Sequence, residues 1–513
     1  MSSVLETNDQ VLHFLRSWSD APEIETHAAR VFLRGGTALK IKRPVHYDFL
    51  DFRTLDGRKG VLDRELELNK PNAPMIYDAV VPITKSSDGN VAIDGPGDVV
   101  EWALKMKRFP KGNELSEIAR SGALDLPMAE ELGEMVHDMH AKARMRNCDG
   151  AELIAEILKE FRREFAALEV KAVKLDVAMV LEGLKTESER LSKLLHDRSR
   201  AGFVRRCHGD LHMRNIVWLN GQPVAFDALE FSERLGTCDV LYDLAFLLMD
   251  LEVAGHHAAA NSVLNAYVSA EPDPASLHGL KAMGLFMAVR AVVRAMVAAE
   301  QFALSNDTAK LQEAKKYVAY ASRTIKTEKA VLHTIGGLSG TGKTTLARAI
   351  RAGLGGHGAI HIRSDIERKR LAGVSAHTRL SATHYTKTSS ANTYAKMRER
   401  AQACLTGRMP VIMDAVFADP QEREMIENLA KEFGVEFRPV WLAAPEDTRS
   451  RRVTNRQNDA SDADAEVVMS QSKNDCGPIT WPIVPTGGTF DDTLKAVRKA
   501  LRGQITSMGQ KNR

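Results

Sequence analysis

Apolar and polar positions in much of the first hundred residues alternate with the two-residue period of β-strands. In "THAARVFLRGGTALKIK" (residues 26–42) the alternation turns on Gly35-Gly36, which predicts a hairpin and puts Lys40 and Lys42 on one strand face. After Pro44, "LDGRKGVLDRELELNK" reads as a helix carrying Glu65 and Glu67, and "AVVPITKSSDGNVAIDGPGDVVEWALKMKRFP" reads as three strands ending near Pro110. From about residue 125 to 200 the pattern becomes helical and charged, with amphipathic segments such as "LPMAEELGEMVHDMHA". Two short strands hinge on Asn220-Gly221, and helices then run to about residue 326.

A different rhythm begins at "KAVLHTIGGLSGTGKTTLARAIRAGL", where an apolar strand enters a glycine-rich loop and then a helix. "GAIHIRSD", "MPVIMDAVF" and "VEFRPVWLAA" repeat the strand theme with helices between them, which predicts a parallel sheet covered by helices. The expected organisation is a β-rich lobe over 1–108, a helical lobe over 109–327 and a parallel-sheet domain over 328–513. In fold class this is a multidomain chain of α+β and α/β type.

Composition narrows the setting. At 513 residues, 44% hydrophobic and 27% charged, the chain is long enough for two or three cores, and a net charge of +3 gives no global field toward nucleic acid or an anionic membrane. Cys148, Cys207, Cys238, Cys404 and Cys476 are scattered without CxxC spacing, which argues against a disulfide framework or zinc site and fits a reducing cytoplasm. The first residues lack a basic segment followed by an apolar run, so no secretory signal is expected. The most apolar long stretch, "GLFMAVRAVVRAMVAAEQFAL", carries Arg290, Arg294 and Glu300 at helical spacing and is expected to be a buried or amphipathic helix, with no membrane span.

The strongest chemical signal is Gly337-Leu-Ser339-Gly340-Thr341-Gly342-Lys343-Thr344-Thr345, a full GxxxxGK[ST] between strand and helix. Its backbone amides can turn onto phosphates, Lys343 can reach the β and γ oxygens, and the Thr344 hydroxyl can meet Mg²⁺. Asp365 and Asp414 each close an apolar strand and so emerge at the same sheet edge as this loop, one to hold metal and one to accept a proton. Arg368 lies one helical turn after Asp365 and suits an anionic acceptor. For Asp365 the plain alternative is a helix N-cap. Arg449, Arg452 and Arg456 near helical spacing suggest a lid over the transferring phosphate, or a solvated helix face.

Over about residues 330–500 the chain resembles small P-loop kinases such as gluconate kinase, zeta toxin and the kinase domain of polynucleotide kinase, on GLSGTGKTT, SDIERKRL, VIMDAVF and the arginine-rich segment. The resemblance implies phosphotransfer with an open choice of acceptor, with Asp365 as proton acceptor and Arg368 as acceptor-binding residue.

The stretch "CHGDLHMRNIV" (207–217) admits two readings. His208, Asp210 and His212 alternate as metal ligands on a strand would, but further ligands are then required. The wider pattern is Asp210, Asn215 five residues on, then strand, turn and strand to Asp227. It supplies a base beside an acceptor hydroxyl and two hard oxygen ligands for Mg²⁺. This half is similar to the aminoglycoside phosphotransferase and choline kinase branch of the protein-kinase-like superfamily over about residues 20–325, on His208-Gly-Asp210-Leu-His212-Met-Arg-Asn215. The similarity implies a bilobal fold with Asp210 as catalytic base, Asn215 and Asp227 as metal ligands, His208 as a brace and Asp243 supporting the loop. Lys40 or Lys42 would contact phosphate, paired with Glu65. The chain departs from the pattern in having no GxGxxG, so "THAAR" must serve as the nucleotide loop, and in having Ala228-Leu229 after Asp227.

These readings converge on a cytoplasmic bifunctional kinase using ATP and Mg²⁺ at two sites, each phosphorylating a small hydroxyl acceptor. If Arg290 and Arg294 face the cleft, the first acceptor is anionic. Two alternatives stand: one half is a nucleotide-binding module that regulates the other, or the P-loop half is a nucleic-acid 5′-end kinase, which the balanced charge disfavours.

Overall fold

The computed structural model describes residues 2–26, 28–47, 50–170, 173–325, 329–376, 378–455, 460–473 and 475–502. The chain forms two compact units, residues 1–160 with 190–254, and residues 161–189 with 255–513. The boundary expected at 327/328 falls among residues 326–328, which lie outside the described residues.

In the first unit the predicted hairpin pairs Ala29–Arg34 with Thr37–Lys42 in register from Arg34↔Thr37 to Ala29↔Lys42. Gly35 takes the positive φ the turn requires, +53°. These strands lie in a six-stranded antiparallel sheet ordered Ile24–Glu25, Ala29–Arg34, Thr37–Lys42, Asp98–Lys107, Tyr77–Lys85, Val91–Ile93. The helix Leu55–Asn69 starts at Thr54, whose side chain accepts the Gly57 N–H, and buries Arg58, Leu62, Glu65 and Asn69 along one face. Leu62 packs in a core with Tyr77, Leu104, Val217 and Val224. Arg58 pairs with the buried Glu101 on the strand Asp98–Lys107, fixing how that face meets the sheet. Later in the chain, the strand Val204–Arg206 leads into the 207–215 loop. The hairpin Ile216–Leu219 with Gln222–Ala225 then turns on Asn220 and Gly221, both at positive φ (52° and 80°).

The second unit holds a five-stranded parallel sheet ordered Ile360–Arg363, Val411–Asp414, Val331–Gly336, Glu436–Ala443, Ile483–Pro485. Ile335, Ile412, Val440, Leu442 and Val484 form one core with Leu346 and Ile350 of the helix Lys343–Arg351 and Val497 and Leu501 of the helix Phe490–Arg502. The apolar helix Met283–Ser305 also belongs here. The 274–305 helical stretch is long and apolar enough to cross a membrane, yet 72% of its most apolar window is buried inside the protein.

The strand Ile360–Arg363 is an open edge, and the helix His257–Ala270 seals it with side chains. Asn265 donates from Nδ2 to Ala359 O (3.1 Å) and accepts the His361 N–H at Oδ1 (2.6 Å), standing in for a neighbouring strand. Asn261 donates to His357 O and Ala359 O. Arg351 reaches Ser262, and Arg400 and Arg370 reach the carbonyls of Val268, Ser269 and Glu271 at the helix's end. This row of polar contacts ties the helix to the parallel sheet with which residues after 255 group. Asn265→Ala leaves one buried N–H and weakens the satisfaction of one buried carbonyl, so a loss of about 1–3 kcal/mol is expected. Denaturant unfolding of the full chain should show it as a lowered midpoint, and an unchanged midpoint refutes the seal.

Candidate active sites

In the first unit the strand period puts Lys40 and Lys42 on the face that meets the helix Leu55–Asn69, and Glu65 divides its carboxylate between them. Lys40 Nζ lies 2.7 Å from Oε1 and Lys42 Nζ 2.7 Å from Oε2. Beyond this shared partner the lysines diverge: Lys40 reaches Asp227 Oδ1 at 2.6 Å, and Lys42 reaches Glu230 Oε1 at 2.5 Å. Burial opposes the charge on Lys40, but Asp227, Glu65 and Glu230 outweigh it and hold the ammonium well above its usual range. Burial likewise works against the Asp227 carboxylate, and Lys40 more than compensates, lowering its pKa. Burial raises Glu230, with Lys42 opposing and Glu65 adding to the rise.

Asp227 stands at φ +62°, a strained backbone for a non-glycine residue, and is pinned on both sides. Its N–H donates to the Tyr77 hydroxyl (2.9 Å), and the next N–H, of Ala228, donates to Asn69 Oδ1 (2.8 Å). Asn215 donates from Nδ2 to both the carbonyl and Oδ2 of Asp210 (2.9 and 3.0 Å). The carboxylates of Asp210 and Asp227 are each 41% exposed, open to solvent where most of the cluster is closed. His208 braces the loop: Nε2 meets Phe226 O at 2.9 Å, the Asp210 N–H approaches Nδ1, and burial lowers its pKa, keeping the ring neutral. Asp243 accepts the N–H groups of His208 and Gly209, and His140 lies 3.2 Å from it. His212 packs edge-on against Phe246 with Nε2 3.4 Å from Asp210.

The metal reading of His208, Asp210 and His212 is not what the geometry brings together. Among the described residues, the group with His, Cys and acidic ligand atoms in mutual reach is His140, Cys207 and Asp243, fully buried behind the loop. Hard oxygens at the open face, Asp227 with Asn215, suit magnesium far better. The ion-paired cluster beside them also favours a cation, since two lysines face the three carboxylates of Glu65, Asp227 and Glu230.

In the second unit Gly337, Gly340 and Gly342 all take positive φ (138°, 83° and 90°) as the strand Val331–Gly336 turns into the helix Lys343–Arg351. A side chain at Gly340 would fall 2.6 Å from Arg449 O, so only glycine lets the loop lie against that backbone. Thr341 Oγ1 and Lys343 Nζ both donate to Leu338 O, and the Ser339 N–H donates to Gln471 Oε1 at 2.8 Å. Thr344 Oγ1 lies 2.5 Å from Asp414 Oδ2, joining the two oxygens a magnesium ion would need; Thr345 follows in the first turn of the helix. Burial raises Asp414, but the neighbouring His361, Lys343 and Arg363 overcome it and hold the carboxyl at about 2. The His361 ring is pushed down to about 4 by burial, with its Nε2 3.4 Å from Asp414, too long for a well-formed hydrogen bond.

Asp365 occupies the first turn of the helix Ser364–Leu371, while the cap position belongs to Arg363, so Asp365 is not the N-cap. Burial raises its pKa, with Arg363 opposing and Asp414 adding to the rise. Arg368 is buried, donates to His384 O (2.7 Å) and stacks 4.8 Å over the Tyr385 ring. Asp462 ties the following segment down, accepting from Tyr385, Leu380 and Lys369.

The arginine-rich segment corrects one expectation. Arg449 is buried, its backbone against Gly340 and its guanidinium on Ser472, which makes it a packing residue. Arg452 is held by Thr486, and Arg456 lies outside the described residues, as does His27 of "THAAR". Arg290 is buried in its helix, and Arg294 faces Glu313 and the Tyr317 ring. Several participants escaped the sequence: Glu230, Tyr77, Asn69, Gln471 and His361. Asn69 alone left a trace, four residues after Glu65 on the same helical face.

Residues 111–280 match the model of the Phosphotransferase enzyme family, and residues 332–474 match that of an AAA domain. An uncharacterized protein of Mycobacterium tuberculosis (strain H37Rv) is 29% identical over 495 residues, covering 94% of this chain and 95% of the relative. A choline/ethanolamine kinase family protein from Mesorhizobium loti is 16% identical and aligns with 63% of this chain and 95% of its own, at a TM-score of 0.37. A gluconokinase from Sinorhizobium meliloti is 19% identical and aligns with 35% of this chain and 94% of its own, at 0.25. The two matched segments support the class, an ATP-dependent phosphotransferase of the kinase type. A segment similar to the Phosphotransferase enzyme family is followed by one that carries the phosphate loop.

The two lysines separate by experiment. Lys42→Met strands Glu65 against Lys40 alone and leaves Glu230 unpaired, so a stability loss of about 3–5 kcal/mol is expected. Lys40→Met leaves Glu65 still paired and Asp227 partly in solvent, so it should cost less stability yet remove most ATP turnover. Chemical denaturation and an ATPase assay of both variants check the contrast, and equal behaviour in both assays contradicts it.

Proposed function

We propose that the chain is a bifunctional, magnesium-dependent kinase that transfers the ATP γ-phosphoryl group to a hydroxyl acceptor at each of two sites. The observation that carries this reading is a plan repeated on unrelated scaffolds. In each unit a lysine and a pair of hard oxygens stand ready for a metal-bound triphosphate, with a further aspartate nearby to take a proton.

Magnesium-ATP, when bound, supplies the phosphoryl group and the positive charge that offsets the phosphate oxygens. In the first site Lys40 holds phosphate oxygens, Glu65 fixes that ammonium, Asn215 and Asp227 offer oxygens to the metal, and Asp210 accepts the acceptor's proton. In the second, the amides of residues 337–345 and Lys343 hold phosphate, Thr344 and Asp414 offer oxygens to the metal, Asp365 accepts the proton, and Arg368 draws in an anionic acceptor. Arg452, held by Thr486, would have to leave that partner to reach the phosphates. Catalysis at both would rest on positioning and charge neutralisation, with no covalent intermediate on the protein. Small metabolites are the proposed acceptors and the cytoplasm the proposed compartment, in keeping with five free cysteines and a balanced charge.

Calorimetry with a nonhydrolysable ATP analogue should give two equivalents per chain, falling to one with Lys343→Ala. Asp210→Ala and Lys343→Ala should each remove a different labelled product from a metabolite extract supplied with labelled ATP. If one substitution abolishes both products, one site regulates the other and the bifunctional reading fails. Asp365 must be ionised to accept a proton, and its pKa is raised. Turnover at the second site should therefore decline as pH falls through a point above the ordinary aspartate value of about 3.9, measurable as the acid limb of kcat/KM in an Asp210→Ala background.

A further inference from the structure

Away from the nucleotide-facing groups, three arginines converge on one carboxylate. Glu233 accepts Arg64 Nη2 at 2.6 Å, Arg146 Nε at 2.8 Å and Nη2 at 2.6 Å, and Arg206 Nε at 3.1 Å. Partial burial would raise its pKa, but the arginines overcome this and hold the carboxyl below its usual range. Three guanidinium groups around one acid exceed what neutralising a surface charge requires. Where each arginine comes from gives the arrangement its meaning.

Arg206 is buried and immediately precedes the loop of Asp210. Its Nη1 donates to Cys207 O at 2.6 Å and its Nη2 donates to Leu229 O, two residues beyond Asp227. One guanidinium therefore ties the Asp210 loop to the Asp227 loop. Gly236 makes the space, since a side chain there would fall 1.9 Å from Arg206 Nη1. Arg64 adjoins Glu65 on the helix Leu55–Asn69 and also meets Glu67. Glu233 joins these two arginines, and so adds to the Asn69–Ala228 contact a second tie between the helix that sets Lys40 and the loops that hold Asp210 and Asp227.

We propose that Glu233 is a positioning residue for phosphoryl transfer at the first site. With Arg64 and Arg206 it forms a latch that holds the Glu65 helix in the register Lys40 requires. The proposal rests on the reading of the first site as a magnesium-ATP site. Glu233 itself touches none of Lys40, Asp227 or Asp210, and its carboxylate is 48% exposed, so a glutamine there is compatible with folding. Cutting the link removes one of several ties on the helix and loosens its Arg64 face, so the fraction of competent molecules falls while each competent molecule works as before.

The test uses the full chain carrying Lys343→Ala, so that magnesium-ATP hydrolysis in the absence of acceptor reports the first site. Glu233→Gln should lower kcat by about tenfold with a much smaller change in KM, and Arg64→Gln should do the same. The double variant should be no worse than either single one, because both cut the same link. Hydrogen exchange across Leu55–Asn69 should quicken in Glu233→Gln while the thermal transition stays within a few degrees of the parent. An unchanged kcat, losses that multiply in the double variant, or unaltered exchange in that helix each overturn the latch. Lys40→Ala in the same background separates the two ideas: if hydrolysis survives it, the reading of the site fails. If Lys40→Ala abolishes hydrolysis and Glu233→Gln leaves it intact, the latch alone fails.

Discussion

A single carboxylate shared by two ammonium groups governs the first unit. Glu65 is fully buried and gives one oxygen to each of Lys40 and Lys42, so sheet and helix cannot slide without stranding a charge away from water. That constraint explains why the helix is fixed at several further points, Arg58 to Glu101, Asn69 to the Ala228 N–H and Arg64 to Glu233. It also explains the division of labour between the lysines. Lys42 is enclosed with Glu230 as a structural counter-charge, and Lys40 faces the open aspartate.

The second unit solves the same chemical problem with backbone. Its phosphate loop depends on left-handed glycines and on the close approach of the Arg449 main chain, and its acids arrive by topology, since adjacent parallel strands end at one edge. Charge is tuned there by neighbours: Asp414 stays ionised beside His361, Lys343 and Arg363, whereas Asp365 is pushed toward its neutral form. Two acids at one sheet edge with pKa values moved in opposite directions suit a ligand and a proton acceptor respectively.

Much of this was legible along the chain, because strand period, turn glycines and the phosphate loop are local properties. The hairpin at Gly35, the hinge at Asn220-Gly221 and the convergence of Asp365 and Asp414 needed no tertiary knowledge. The choice between Lys40 and Lys42 did, because a two-residue period makes them equivalent and only the positions of Asp227 and Glu230 part them. Arg449 misled for a related reason: helical spacing marks a face but does not say whether that face meets solvent or a glycine loop. Asn261 and Asn265 carried a faint signal, a polar pair four residues apart in a helix otherwise rich in small and apolar residues, whose use as strand partners depends on which sheet edge lies beside them.

The asparagine-bearing helix His257–Ala270 lies within the stretch matched by the Phosphotransferase enzyme family, yet it closes the parallel sheet of the P-loop unit. The stretch matched by one family model thus supplies the edge cover of the other segment's sheet, and a P-loop segment produced from residue 328 onward would lack it. Without this helix the strand Ile360–Arg363 would present bare backbone groups to solvent or to another strand.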